Sequence, residues 1–174
     1  MSIDIPSLLS AAGGEIVGKV RLQKIVYLLD QIGLDSGYSY EYHHYGPYSA
    51  ELADSVDEDV IFGQVEEISQ RRANDGVPYS IFRVSRKKDN ARVEGSLGGL
   101  SLDKVRDALG AMQRYSATVL ELAATIHWLA TVEQISDWHA ELVRRKGVKT
   151  EQGRDNQALD LLKQLGLAPA DNVG

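Results

Sequence analysis

Residues 116–131 read as a helix with no polar side. Val119, Leu122, Ala123, Ile126 and Ala130 fall on one side, and Leu120, Ala124 and Trp128 on the other. A helix that is apolar all round persists in water only where other elements cover it. The rest of the chain must therefore supply covering faces, and this stretch is the expected centre of the core.

Covering helices are legible on both flanks. Leu102, Val105, Leu109 and Met112 form an i, i+3, i+7 stripe before it. After it, Ile135, Trp138, Leu142 and Val143 are expected to face inward on one helix. Thr150 is placed to cap a last helix whose stripe is Leu159, Leu162 and Leu165, with Gly166 ending it. Towards the N-terminus, residues 3–12 suit a short helix with Pro6 in its first turn, stopped by Gly13-Gly14. A second helix spans about Gly18 to Gln31. Its stripe is Leu22, Ile25, Val26, Leu29 and Ile32; Lys19, Gln23, Lys24 and Gln31 make the polar side, and Gly33 suits the C-terminal cap.

Strand patterns lie between these helices. Tyr38, Tyr40 and Tyr42 alternate within residues 38–44 and would share one face. Gly46-Pro47 should break that strand, and Pro47 is placed to open a third helix over about Tyr48–Val60. Gln64–Gln70 and Tyr79–Ser85 flank Asn74-Asp75-Gly76, a turn signal, so 64–85 reads as a hairpin. Residues 86–100 read as loop, basic at first and then rich in glycine, and the closing APADNVG as frayed. The expected fold is mainly α with a small β-hairpin or three-stranded sheet. Residues 1–92 would form a winged-helix-like part, and 101–167 a C-terminal helical bundle packed on it, within one compact unit of 174 residues.

Composition narrows the function. The absence of cysteine removes disulfides, thiolate nucleophiles and cysteine zinc sites. It also favours a reducing, cytoplasmic setting. MSIDIPSLLSAAGG lacks the basic start and long apolar run of a secretion signal, and no stretch is apolar enough to span a bilayer. A net charge of −6 weighs against nucleic acid as the main partner.

Motif matches stop short of chemistry. Gly13–Lys19 fits GxxxxGK, but Val20 stands where a P-loop needs Ser or Thr, and the residues before it look helical, so a turn between two helices is the better reading. His43 and His44 are neighbours and would point to opposite faces of a strand. His127 and His139 have no carboxylate at ligand spacing and read as structural. Gly95-Ser96-Leu97-Gly98-Gly99 places its serine one position early for a nucleophile elbow. Asp54, Asp57 and Glu58 share a helix face that reads as solvated. The expectation is a protein without enzymatic activity, cofactor or metal.

Two features suit binding. Tyr38, Tyr40, Tyr42, Tyr45 and Tyr48 fall close together, and tyrosine serves both interfaces and core. Arg71, Arg72, Arg83, Arg86, Lys87, Lys88 and Arg92 make residues 70–92 basic, so the hairpin could grip a phosphate backbone. The third helix carries Glu51, Asp54, Asp57, Glu58 and Asp59 with no Lys or Arg, which would repel DNA from the helix that should read it.

Leu22-Gln23-Lys24 with Tyr27, followed by Tyr45-Gly46-Pro47-Tyr48-Ser49, resembles the Panacea (SocA-like) antitoxin domain and its YwgA-like relatives over residues 18–62. Residues 120–131 and the closing LLKQLGL are similar to the YwgA-like group. The resemblance implies a mostly helical, non-catalytic domain that binds another protein, as an antitoxin against a toxin encoded nearby or as a proteolytic adaptor. Its expected contact residues are the five tyrosines with Arg71 and Arg72. The alternatives are a winged-helix DNA-binding regulator using the hairpin, and an enzyme or nucleotide binder using Lys19 or the Asp54–Glu58 face.

Overall fold

The computed structural model describes residues 3–85 and 95–170. The basic run from Arg86 to Arg92 and the last four residues lie outside that range. Helix α5, Ala117–His127, is the centre: every residue from Val119 to His127 is buried. Ser116 caps it by accepting the Val119 amide at 3.2 Å. Helix α2, Lys19–Gln31, packs on it from the N-terminal half. From the other half come α6 (Trp138–Lys146) and α7 (Arg154–Leu165), while α4 (Leu102–Met112) packs on α1 (Ile5–Ala11), α2 and α7. One continuous apolar cluster runs from Ile3 to Leu162.

The N-terminal elements are α1 (Ile5–Ala11), β1 (Glu15–Val17), α2, β2 (Glu41–His43), β3 (Gly46–Tyr48), α3 (Ala50–Ile61), β4 (Val65–Arg71) and β5 (Pro78–Val84). The expected hairpin is β4–β5, paired from Val65–Val84 to Arg71–Pro78. Its edge is extended by β1, giving the antiparallel order β1-β5-β4. The turn expected at residues 13–18 therefore contains a strand. Only Ile16 of that strand is buried, opposite Phe82, and three residues are too few to show a period of two. The sheet packs on α1 through β5 and β1, touches α2 through β1 and meets α3 through β4.

Four further expectations are corrected. Residues 46–48 form a strand, with Pro47 opposite Tyr42, and the helix begins at Ala50 with Ser49 as its cap. Pro47 is tolerated because a two-stranded ribbon leaves its missing N–H on an edge. Val143 is 42% exposed, so the buried side of α6 is Trp138, Leu142 and the stem of Lys146. Thr150 does not cap α7; it closes a 3₁₀ turn, donating to the Gly147 carbonyl at 2.7 Å, and α7 starts after Gly153. The fully buried face of α7 is Ala158, Leu161 and Leu162, while Leu159 and Leu165 are only partly covered.

The glycine-rich segment has a packing role. Strands β6 (Ser96–Leu97) and β7 (Leu100–Ser101) form a tiny hairpin against the end of α2. The Gly99 amide donates to the Leu34 carbonyl at 2.7 Å, and a Cβ on Gly98 would lie 2.0 Å from that oxygen. No helix among the described residues is long and apolar enough to cross a membrane.

Candidate functional site

The two motif segments clasp each other. Gln23 lies on α2 and Ser49 at the start of α3, 26 positions apart. The Gln23 amide donates to the Ser49 carbonyl at 2.8 Å and accepts the Ser49 N–H at 2.9 Å. Ser49 in turn accepts the Leu52 amide at 3.2 Å and so caps α3. The next residue, Lys24, donates from its ammonium to the Pro47 carbonyl. Tyr27 shares a 2.8 Å hydrogen bond with His127 Nδ1 on α5. Gly46 has φ +89°, and a Cβ there would come within 2.7 Å of the Thr125 hydroxyl oxygen. That hydroxyl is fixed by donating to the Glu121 carbonyl at 2.8 Å. Leu22 fills the core. Gln23, Lys24, Tyr27 and Gly46 thus each hold the two motif segments together or against α5.

Gln23 and Lys24 are consequently buried, at 6% and 1% exposure, instead of forming part of a solvated polar side. Burial lowers the Lys24 pKa from 10.5 to about 8; the nearby Glu121 carboxylate opposes that shift, and Lys146 and Lys149 add to it. Glu121 is itself buried on α5. It pairs with Lys146 at 3.1 Å and Lys149 at 3.0 Å, and Lys146 also donates to the His44 carbonyl at 3.1 Å. Sequence reasoning missed this cluster. The available signal was a lone carboxylate within an otherwise apolar helix, which requires a cation beside it.

The tyrosines divide between core and surface. Tyr40 meets Tyr27 edge-on at 5.0 Å and donates to Asp30 at 2.6 Å, so burial and that carboxylate push its pKa up. Tyr38 is half-buried against the core. Tyr42 lies near Trp128 and is covered by the Arg145 guanidinium at 4.8 Å. Tyr48 stacks on His43 at 4.8 Å, and Tyr45, 49% exposed, sits under the Lys149 ammonium at 4.9 Å. Tyr45 and Tyr48 border a groove of about 320 Å³ between α2 and α3. Val20, Leu22, Leu52, Ala53, Val56 and Phe82 line it, with Lys19 and Asp57 also at its wall.

Arg71 and Arg72 lie apart from this groove, at the hairpin tip. Arg71 donates to the Gly76 carbonyl at 3.0 Å, and Arg72 forms a two-pronged pair with Asp75 at 3.1 and 2.7 Å. Asp54, Asp57 and Glu58 are exposed on α3. Lys19 reaches Glu67 at 3.8 Å, and His139 pairs with Asp155 at 3.0 Å. Among the described residues no group of three or more His, Asp or Glu is placed to hold a metal ion.

No protein-family model matches the chain. It is similar to the uncharacterised protein YwgA of Bacillus subtilis (strain 168), with 26% identity over 120 residues, covering 69% of each chain. This likeness supports the YwgA-like part of the resemblance over two thirds of the length.

Proposed function

We propose that the chain is a non-catalytic protein-interaction module whose docking site is the groove between α2 and α3. The observation that carries this reading is the apolar lining of that groove beside the exposed tyrosine Tyr45 and the exposed acidic face of α3. A partner segment that fits would insert an apolar side chain and set Lys or Arg against Glu51, Asp54, Asp57 and Glu58. A toxin encoded nearby, neutralised by the contact, or a protease substrate held by an adaptor would fit such a site.

The element order α1-β1-α2-β2-β3-α3-β4-β5 with a β1-β5-β4 sheet supports a winged-helix relationship for the N-terminal part, with the β2–β3 ribbon inserted between α2 and α3. The DNA-binding regulator is the weaker reading, because α3 presents carboxylates to solvent and Arg72 is already engaged by Asp75. The test is affinity capture from native lysate with and without nuclease, using wild type, Ala53→Arg and Arg72→Ala. Ala53 lines the groove, so an arginine there would fill it. A nuclease-resistant protein partner that is lost with Ala53→Arg and kept with Arg72→Ala supports the module. Material lost on nuclease treatment or with Arg72→Ala supports the regulator.

A further inference from the structure

A second cavity, of about 740 Å³, opens beside the groove and shares Lys19, Val20 and Tyr45 with it. Its walls come from the start of α2, the β4–β5 hairpin, α5 and the 3₁₀ turn before α7. Lys19, Arg21, Arg72 and Lys149 line it from three of these elements, against the carboxylate of Glu121. That carboxylate is shared by Lys146 and Lys149, Lys19 reaches Glu67 at 3.8 Å and Arg72 is held by Asp75 at 2.7 Å, so the lining cation left without a carboxylate among the described residues is Arg21. Arg21 stands out from the other cations. No carboxylate among the described residues is within ion-pair distance of it, yet burial lowers its pKa. A half-desolvated guanidinium without a counter-charge is costly, and an anion offsets that cost.

From these converging cations we propose that the cavity binds a phosphate-bearing small molecule, independently of partner docking in the neighbouring groove. The size falls in the range of small-molecule sites. A guanidinium opposite ammonium groups suits an oxyanion with several acceptor oxygens. Tyr45 and Tyr79 add aromatic wall to the same space. An acidic polypeptide would instead match cations spread along an open strip.

The test uses pyrophosphate as the probe, titrated into the full chain at low ionic strength by calorimetry and amide NMR. The expected result is saturable binding, with the largest shifts at Gly18–Arg21 and Lys149. Arg21→Gln should weaken it about tenfold at unchanged melting temperature, since that side chain has no ion-pair partner among the described residues to lose. Arg106→Gln on α4, outside the cavity, should leave it unchanged. No saturable binding, or equal binding by wild type and Arg21→Gln, overturns the proposal. Arg21-dependent binding of poly-glutamate without binding of pyrophosphate overturns it in favour of an acidic polypeptide. Each outcome turns on Arg21 and is separate from the partner capture, which reads Ala53→Arg and Arg72→Ala.

Discussion

Gln23 and Ser49 exchange two hydrogen bonds, at 2.8 and 2.9 Å, between a side chain of α2 and the backbone that launches α3. Both groups are buried, at 6% and 0% exposure, so water cannot replace either bond. Gln23→Ala would leave the buried Ser49 N–H unsatisfied, while the Ser49 carbonyl keeps the Ala53 amide at 3.2 Å. The expected loss is about 1–3 kcal/mol of unfolding free energy, read from denaturant midpoints. Gln23→Glu should also destabilise, because it keeps one acceptor, loses the donor and buries a charge. A loss below about 0.5 kcal/mol for Gln23→Ala would show that the clasp is not needed to seat α3.

Lys24 predicts a pH dependence. Its folded pKa of about 8 lies below the unfolded 10.5. Between those values the unfolded chain holds a proton that the folded chain has released, so this group makes stability rise with pH across the window. Below about pH 8 both states are protonated and its contribution is level. The neutral amine still donates to Pro47, so the hydrogen bond survives the change. Subtracting the Lys24→Met profile removes the titrations of Lys146 and Lys149 to first order. The difference should climb by up to about 3 kcal/mol between pH 8 and 10.5. A flat difference would mean the ammonium is not penalised by burial.

Much of the secondary structure was legible before any coordinates, and the clasp was not. The hairpin could be read because Asn74-Asp75-Gly76 is a local turn signal, and α5 because its residues are apolar in every direction. Gln23 and Lys24 could not be placed, because periodicity reports side-chain type and not what lies opposite. They occupy polar positions of an amphipathic helix, and β3 and α5, brought in from 20 to 100 residues away, close over them. The tyrosine run was ambiguous for the same reason. Tyr40 and Tyr45 have the same chemistry and differ only in what the fold puts against them.

Gly46→Ala should destabilise for two separable reasons. The backbone has φ +89°, and the new methyl would meet the Thr125 oxygen at 2.7 Å. The expected cost is about 2–4 kcal/mol. Thr125→Ala removes the steric part only, so the double variant should recover some stability relative to the sum of the single variants. Strict additivity in thermal melts would refute the contact.

Ile61 and Phe62, at the end of α3, are 78% and 75% exposed. Replacing them with Lys and Ser should change stability by less than about 0.5 kcal/mol. It should also raise the concentration at which the chain stays monodisperse in light scattering. A large loss of stability would mean that these side chains are covered in the folded protein.

The most direct measurement is hydrogen–deuterium exchange on the purified chain, alone and with the protein partner recovered by capture. The docking groove is built from the start of α2 and from residues 45–57. The account predicts slowed exchange in these two segments, with little change at the hairpin tip around Asp75. Protection confined to Arg71–Asp75, or absent from the groove segments while the complex is intact, would contradict it.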